Sequence, residues 1–173
     1  MGKVYGFIAA SLDGYIADKD GRVDWLKPYD DVDYGMNAFM AKLDTVVFGR
    51  ATYDQFPSLD IGWPYAGKRG LVVTSRPLPP LYPDVEAWHD GVEPLVAHLR
   101  AQPGGSWILG GAQLQAAVIA ASGLDHLDLF VIPVLLGEGV PLFPKASGPQ
   151  PNLTLESTER YSNGMVRLSY ALS

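Results

Sequence analysis

The sequence predicts a single α/β domain: a central mixed, mostly parallel sheet flanked by helices, with a C-terminal antiparallel hairpin. Three observations carry this. Short, wholly apolar runs such as Thr45-Val46-Val47-Phe48 have the composition of strands buried on both faces. Segments with apolar residues at helical spacing alternate with them, the pattern of strand–helix–strand units. Near the end, two strand-like segments flank Asn163-Gly164, a pair suited to a tight hairpin turn. The 173 residues suit one domain, and no repeat, charge run or linker divides them.

In chain order, Val4–Ala10 is expected to be the first strand, ended by the turn pair Asp13-Gly14. Residues 18–21 read as a loop. A helix is expected over Asp31–Leu43, with Val32, Met36, Phe39, Met40 and Leu43 on one face. The buried strand Thr45–Phe48 leads at once into a helix starting at Gly49-Arg50. Further strands are expected over Gly70–Thr74 and Val85–Trp88, and a helix over Glu93–Ala101. Ser106–Leu109 is a strand meeting Gly110-Gly111, and Ala112–Ser122 a helix with Gly123 as its C-terminal cap. Leu127–Val134, Leu153–Tyr161 and Met165–Leu172 complete the strands.

Composition removes several function classes. A net charge of −6 argues against a nucleic-acid-binding surface, which needs a positive field. The absence of cysteine removes disulfides, thiolate nucleophiles and cysteine-ligated metals. His89, His98 and His126 lack metal-ligand spacing, so no metal is expected, and neither a serine-hydrolase elbow nor a P-loop occurs. Val4–Leu12 reads as a strand rather than a signal peptide, and Leu127–Leu136, interrupted by Asp128 and Pro133, is too short to span a bilayer. A cytoplasmic protein with no membrane partner is expected.

Two segments share one design of buried strand, glycine and helix start: Gly49-Arg50-Ala51-Thr52 and Gly110-Gly111-Ala112-Gln113-Leu114. A helix N-terminus offers free N–H groups and partial positive charge to phosphate, and glycine lets the backbone approach it. Arg50 adds a permanent charge and Thr52 a hydroxyl. At a third strand end, Thr74-Ser75-Arg76 supplies two hydroxyls and a guanidinium, the groups that suit a ribose 2′-phosphate. Together they favour NADP(H) over NAD(H). Each alone is more often a plain connection, helix start or loop, and the usual G-x-G-x-x-G fingerprint is absent.

In their order these pieces resemble the dihydrofolate reductase-like superfamily, in the branch containing the C-terminal reductase domain of the bifunctional riboflavin-biosynthesis deaminase-reductase. The resemblance is carried by Ser11–Ala17, Asp44–Tyr53, Trp107–Gly111 and Ile132–Phe143, and runs from residue 4 to about 170. It implies an NADPH site on the strand ends. Ala10 and Ile16 would flank the nicotinamide, Arg50, Ala51 and Thr52 would meet the phosphates from one side, and Gly111–Leu114 from the other. Thr74, Ser75 and Arg76 would surround the adenosine end. It also implies that paired glycines can be joined by a cis peptide and that homodimers are common. The sequence holds no deaminase half and no zinc ligands.

An NADPH-dependent reductase of a small heterocyclic or carbonyl substrate is therefore expected. Hydride transfer needs its partners held in contact and water excluded, and a carbonyl or imine acceptor needs a proton as well. Asp33 and Asp13 are the candidate acids. Asp33 reads equally as an exposed helix-start carboxylate, and Asp13 as turn chemistry before Gly14. Trp25 and Tyr29 are candidates to wall a flat substrate, or are packing residues. Gly137-Glu138-Gly139 reads as a loop near the substrate mouth or a dimer contact, or as a plain turn. Two alternatives stand beside the reductase: a non-catalytic ligand-binding or assembly protein that kept the fold, and, more narrowly, a true dihydrofolate reductase.

Overall fold

A computed structural model describes residues 1–59, 61–145 and 151–173. Eight strands form one sheet: β1 (Val4–Ser11), β3 (Leu43–Gly49), β4 (Arg69–Val73), β5 (Val85–Trp88), β6 (Gly105–Gly110), β7 (His126–Ile132), β9 (Leu153–Arg160) and β10 (Val166–Leu172). Their spatial order is β5-β4-β3-β6-β1-β7-β10-β9. All neighbours from β5 to β7 are parallel, and β10 pairs antiparallel with both β7 and β9. The mixed, mostly parallel sheet and its closing hairpin therefore stand as the sequence predicts.

Alternation along the strands sorts side chains onto two different faces. Phe7, Phe48, Trp107 and Phe130 join an aromatic core with Phe39, Tyr53 and Phe56. Those last three come from the short helices α1 (Met36–Met40), α2 (Arg50–Tyr53) and α3 (Phe56–Leu59). Val4, Val47, Leu71 and Ile108 instead join an aliphatic core with residues of α4 (Val92–Ala101) and α5 (Ala112–Ala120). Because β3 is followed by α2 and β6 by α5, the chain leaves these two adjacent parallel strands toward opposite faces. A crevice opens at their carboxyl ends, the place where open α/β sheets bind ligands.

Several expected boundaries are corrected. The helix expected over Asp31–Leu43 is only the five residues of α1, because Gly35 sits at φ 84°, a left-handed conformation no α-helix can pass through. Leu43 belongs to β3. The helix expected after Gly49 is one turn, α2, with α3 following separately. At the end of α5 the left-handed residue is Ser122 (φ 52°), not Gly123. The N–H of Gly123 bonds the carbonyl of Val118 and that of Ser122 the carbonyl of Ile119, a paired C-terminal cap. Glycine is needed at 123 for a different reason: a Cβ there would lie 2.3 Å from Val96 Cγ2. The sequence gives no warning of a 3-10 segment at Asp24–Tyr29, nor of a second small sheet. That sheet pairs β2 (Tyr15–Ala17) antiparallel with β8 (Val140–Pro141).

Candidate functional site

The crevice is a cavity of about 680 Å³, within the range of ligand clefts. Its wall is built from the ends of β1, β3 and β6, from α2 and the start of α5, and from the β2–β8 pair. Gly49, Arg50, Ala51 and Thr52 stand on one side, Gly110, Gly111, Ala112, Gln113 and Leu114 on the other, with Ile16 at the rim. The two glycine turns come close: a Cβ on Gly49 would lie 3.4 Å from the Gly111 nitrogen. The Gly110–Gly111 peptide is cis. Thr52 Oγ1 lies 3.5 Å from where a Cβ on Gly111 would be, so its hydroxyl reaches into the gap.

A second pocket of about 160 Å³ adjoins the first across Phe7, Ile8, Ala9, Leu26 and Trp107, which line both. Tyr29, Asp30, Tyr34, Met36, Phe130, Ile132 and Met165 complete it. It is mostly apolar, a shape for a small flat group. The 3-10 segment that supplies Tyr29 is pinned by the hairpin tip. Asn163 Nδ2 donates to the Tyr29 carbonyl (3.2 Å) and to the Asp31 carboxylate (3.0 Å).

The structure leaves other expected site residues off these walls. Ala10 is buried behind the cleft, and its neighbour Ala9 faces it. Thr74 accepts the Arg76 N–H in a local turn (3.1 Å), while Ser75 and Arg76 are exposed beyond the cleft. Arg76 is nevertheless tied to the site. Asp54 accepts from Arg50 Nε at 2.7 Å and lies 3.7 Å from the Arg76 guanidinium, so one carboxylate joins the two arginines. Trp25 packs against the aromatic core without lining either pocket. Because α2 is a single turn, Arg50 and local N–H groups, rather than a developed helix dipole, give that side its positive character.

Neither expected acid opens on the cavities. Asp33 is exposed and accepts the Gly35 N–H at 2.9 Å. Asp13 accepts the Ser11 hydroxyl at 2.6 Å, and this bond, with those from the Gly137 and Leu136 N–H groups, holds its carboxyl below the usual carboxylate range. Such a group accepts hydrogen bonds and resists carrying a proton. Sequence reasoning left Asp30, Asp31 and Asp33 as a crowded group without singling out Asp30 for the small pocket, and missed Tyr34 there and Tyr65 and Trp107 in the cleft. Burial, then the Asp30 charge, raises the Tyr34 phenol. Burial pushes Tyr65 up to about 12, so it remains a neutral hydroxyl donor at ordinary pH. The Trp107 indole N–H is buried without a partner. Among the described residues, no group of three or more His, Cys, Asp or Glu is placed to hold a metal, and no helix is long and apolar enough to cross a membrane.

The comparisons with known proteins agree on the fold. The model of the RibD C-terminal domain family matches residues 3–167. The uncharacterized protein YwjB of Bacillus subtilis (strain 168) is 35% identical over 166 residues, covering 95% of this chain and 94% of that protein. A protein from Shewanella sp. PV-4, named for riboflavin biosynthesis, superposes with a TM-score of 0.88 at 30% identity, covering 99% of both chains. Dihydrofolate reductase from Enterococcus faecalis, complexed with NADP(H) and RAB-propyl, superposes with a TM-score of 0.73 at 22% identity, covering 99% of this chain and 97% of that one.

Proposed function

The chain belongs to the RibD C-terminal domain family, and on that premise we propose that it is an NADPH-dependent reductase of a small, flat heterocyclic or carbonyl substrate. The observation that carries this reading is the joined pair of cavities. A largely apolar cleft, edged by two glycine turns, adjoins a small aromatic pocket across Phe7, Ala9 and Trp107. One compartment suits a phosphate-bearing cofactor and the other a planar acceptor, with a shared wall where the two would touch.

The residues present fit a dinucleotide. Gly49 and Gly111 leave open a gap that side chains would narrow, Thr52 and the first N–H groups of α5 offer donors, and Arg50 supplies a permanent charge. NADPH, when bound, supplies a hydride. The chain's own work is positioning and exclusion of water: Ile8, Ala9, Leu26 and Leu109 make an apolar wall. Asp30 stands at the solvent-facing rim of the small pocket, where it can take a proton from water and relay it toward an acceptor. Tyr34, beside it and held neutral by burial, can donate a hydrogen bond.

The test is NADPH oxidation by the intact chain against pterins, pyrimidines, quinones and simple carbonyls. Turnover with one class, lost in Asp30→Asn, supports the reading. Binding of NADPH without turnover on any acceptor would favour a non-catalytic ligand-binding protein instead.

A further inference from the structure

We propose that Asp13 is a positioning residue that clasps the segment 134–142 onto the turn after β1, and so fixes one wall of the cleft around its cofactor. The inference rests on the reading of that cleft as a dinucleotide site. It also gives Asp13 a role other than proton transfer.

The two segments lie far apart in sequence, with Leu136 123 residues beyond Asp13. One carboxylate joins them. Asp13 Oδ1 accepts the Ser11 hydroxyl and the Leu136 N–H (3.1 Å), and Oδ2 accepts the Gly137 N–H (2.7 Å). Ser11 Oγ accepts the Tyr15 N–H at 2.9 Å, and the Tyr15 hydroxyl donates to the Gly137 carbonyl at 3.3 Å. Backbone bonds from Leu12 to Val134 and from Leu142 to Gly14 flank this cluster. At Gly139 the approach is so close that a Cβ would lie 2.1 Å from the Ala17 carbonyl oxygen.

What the clasp holds is the cleft wall itself, since Ile16 and Ala17 of β2 and Val140 and Pro141 of β8 all line the cavity. Hydrophobic burial anchors only the ends of this segment, at Val134 and at Leu142 (5% exposed), while Leu135 beside the clasp is 72% exposed. The Lys19–Glu138 ion pair is long, at 3.6 Å, and both side chains are exposed, so it adds little. Hydrogen bonds to an ionised carboxylate are the stronger kind, and here they converge on one side chain.

The experiment uses the full chain as wild type, Asp13→Ala and Asp13→Asn. It follows amide hydrogen exchange, NADPH affinity and thermal unfolding together. In Asp13→Ala, exchange across 134–142 should rise roughly tenfold while β3 and β6 keep their protection, because the loss is local. NADPH affinity should weaken about tenfold, within the usual size of such couplings. Asp13→Asn, which keeps one acceptor oxygen, should fall between, and it stands in if the alanine variant does not fold. Unchanged exchange across 134–142 overturns the clasp. Faster exchange with unchanged NADPH affinity overturns the positioning role. A wild-type chain that binds no NADPH overturns the reductase reading and this inference with it, whatever the exchange shows.

Discussion

Replacing Gly49 by alanine separates folding from ligand binding at the centre of the cleft. Gly49 has φ −74° and ψ 156°, an extended conformation that alanine adopts freely. The new Cβ would meet the Gly111 nitrogen at 3.4 Å and the Gly110 oxygen at 3.6 Å, ordinary contact distances. Nothing in the folded chain therefore opposes the change. Loss of unfolded-state freedom should stabilise the protein by about 0.4–1 kcal/mol. For a chain of this size, that is a rise in Tm of roughly 1–4 °C. The same methyl stands between the two glycine turns, where a pyrophosphate would have to approach the backbone. Crowding of that kind costs about 1–3 kcal/mol, or roughly 5–150-fold in Kd. Thermal unfolding and a fluorescence titration with NADPH measure both quantities on one preparation. A destabilised variant with undiminished NADPH affinity would refute the reasoning, because Gly49 would then serve the fold and not the ligand.

Gly123→Ala should act in the opposite sense, losing about 1–3 kcal/mol in urea unfolding, since its Cβ would collide with Val96. Once a turnover substrate is found, Asp30→Asn should lower kcat by roughly a hundredfold or more. Asp33→Asn should leave it nearly unchanged, because Asn still accepts the Gly35 N–H. The Asp13 clasp should survive mild acid. Its hydrogen bonds hold the folded carboxyl below the ordinary 3.8, so its contribution is present above that value and lost only as pH falls through the lower folded one. The amide resonances of Leu136 and Gly137 should then titrate with a midpoint below 3.8, and a midpoint at or above it would contradict the clasp.

The strands were legible because burial on both faces leaves an unbroken apolar run, as in Val46–Phe48, and turn residues mark where each run stops. The helix before β3 was not, because Val32, Met36, Phe39 and Met40 keep helical spacing across Gly35, whose left-handed backbone stops the helix there. β2 and β8 are too short to show any period, and they pair segments more than 120 residues apart. In the site, Gly49 and Gly110-Gly111 were readable because glycine directly after a buried strand has a backbone reason. The acid was not. Asp30, Asp31 and Asp33 are equivalent in sequence, and their difference is made by their partners: the distant Asn163 takes Asp31, the nearby Gly35 N–H takes Asp33, and Asp30 is left at the pocket. The link from Arg50 to Arg76 through Asp54 was hidden for the same reason, since it spans two strand ends.

The most direct test of the central claim is a parallel titration of the folded chain with NADPH and NADH, repeated on Arg76→Ala. One saturable NADPH site, tighter than that for NADH and with the preference narrowed in the variant, is the predicted result. No binding of either nucleotide by the folded protein would contradict it.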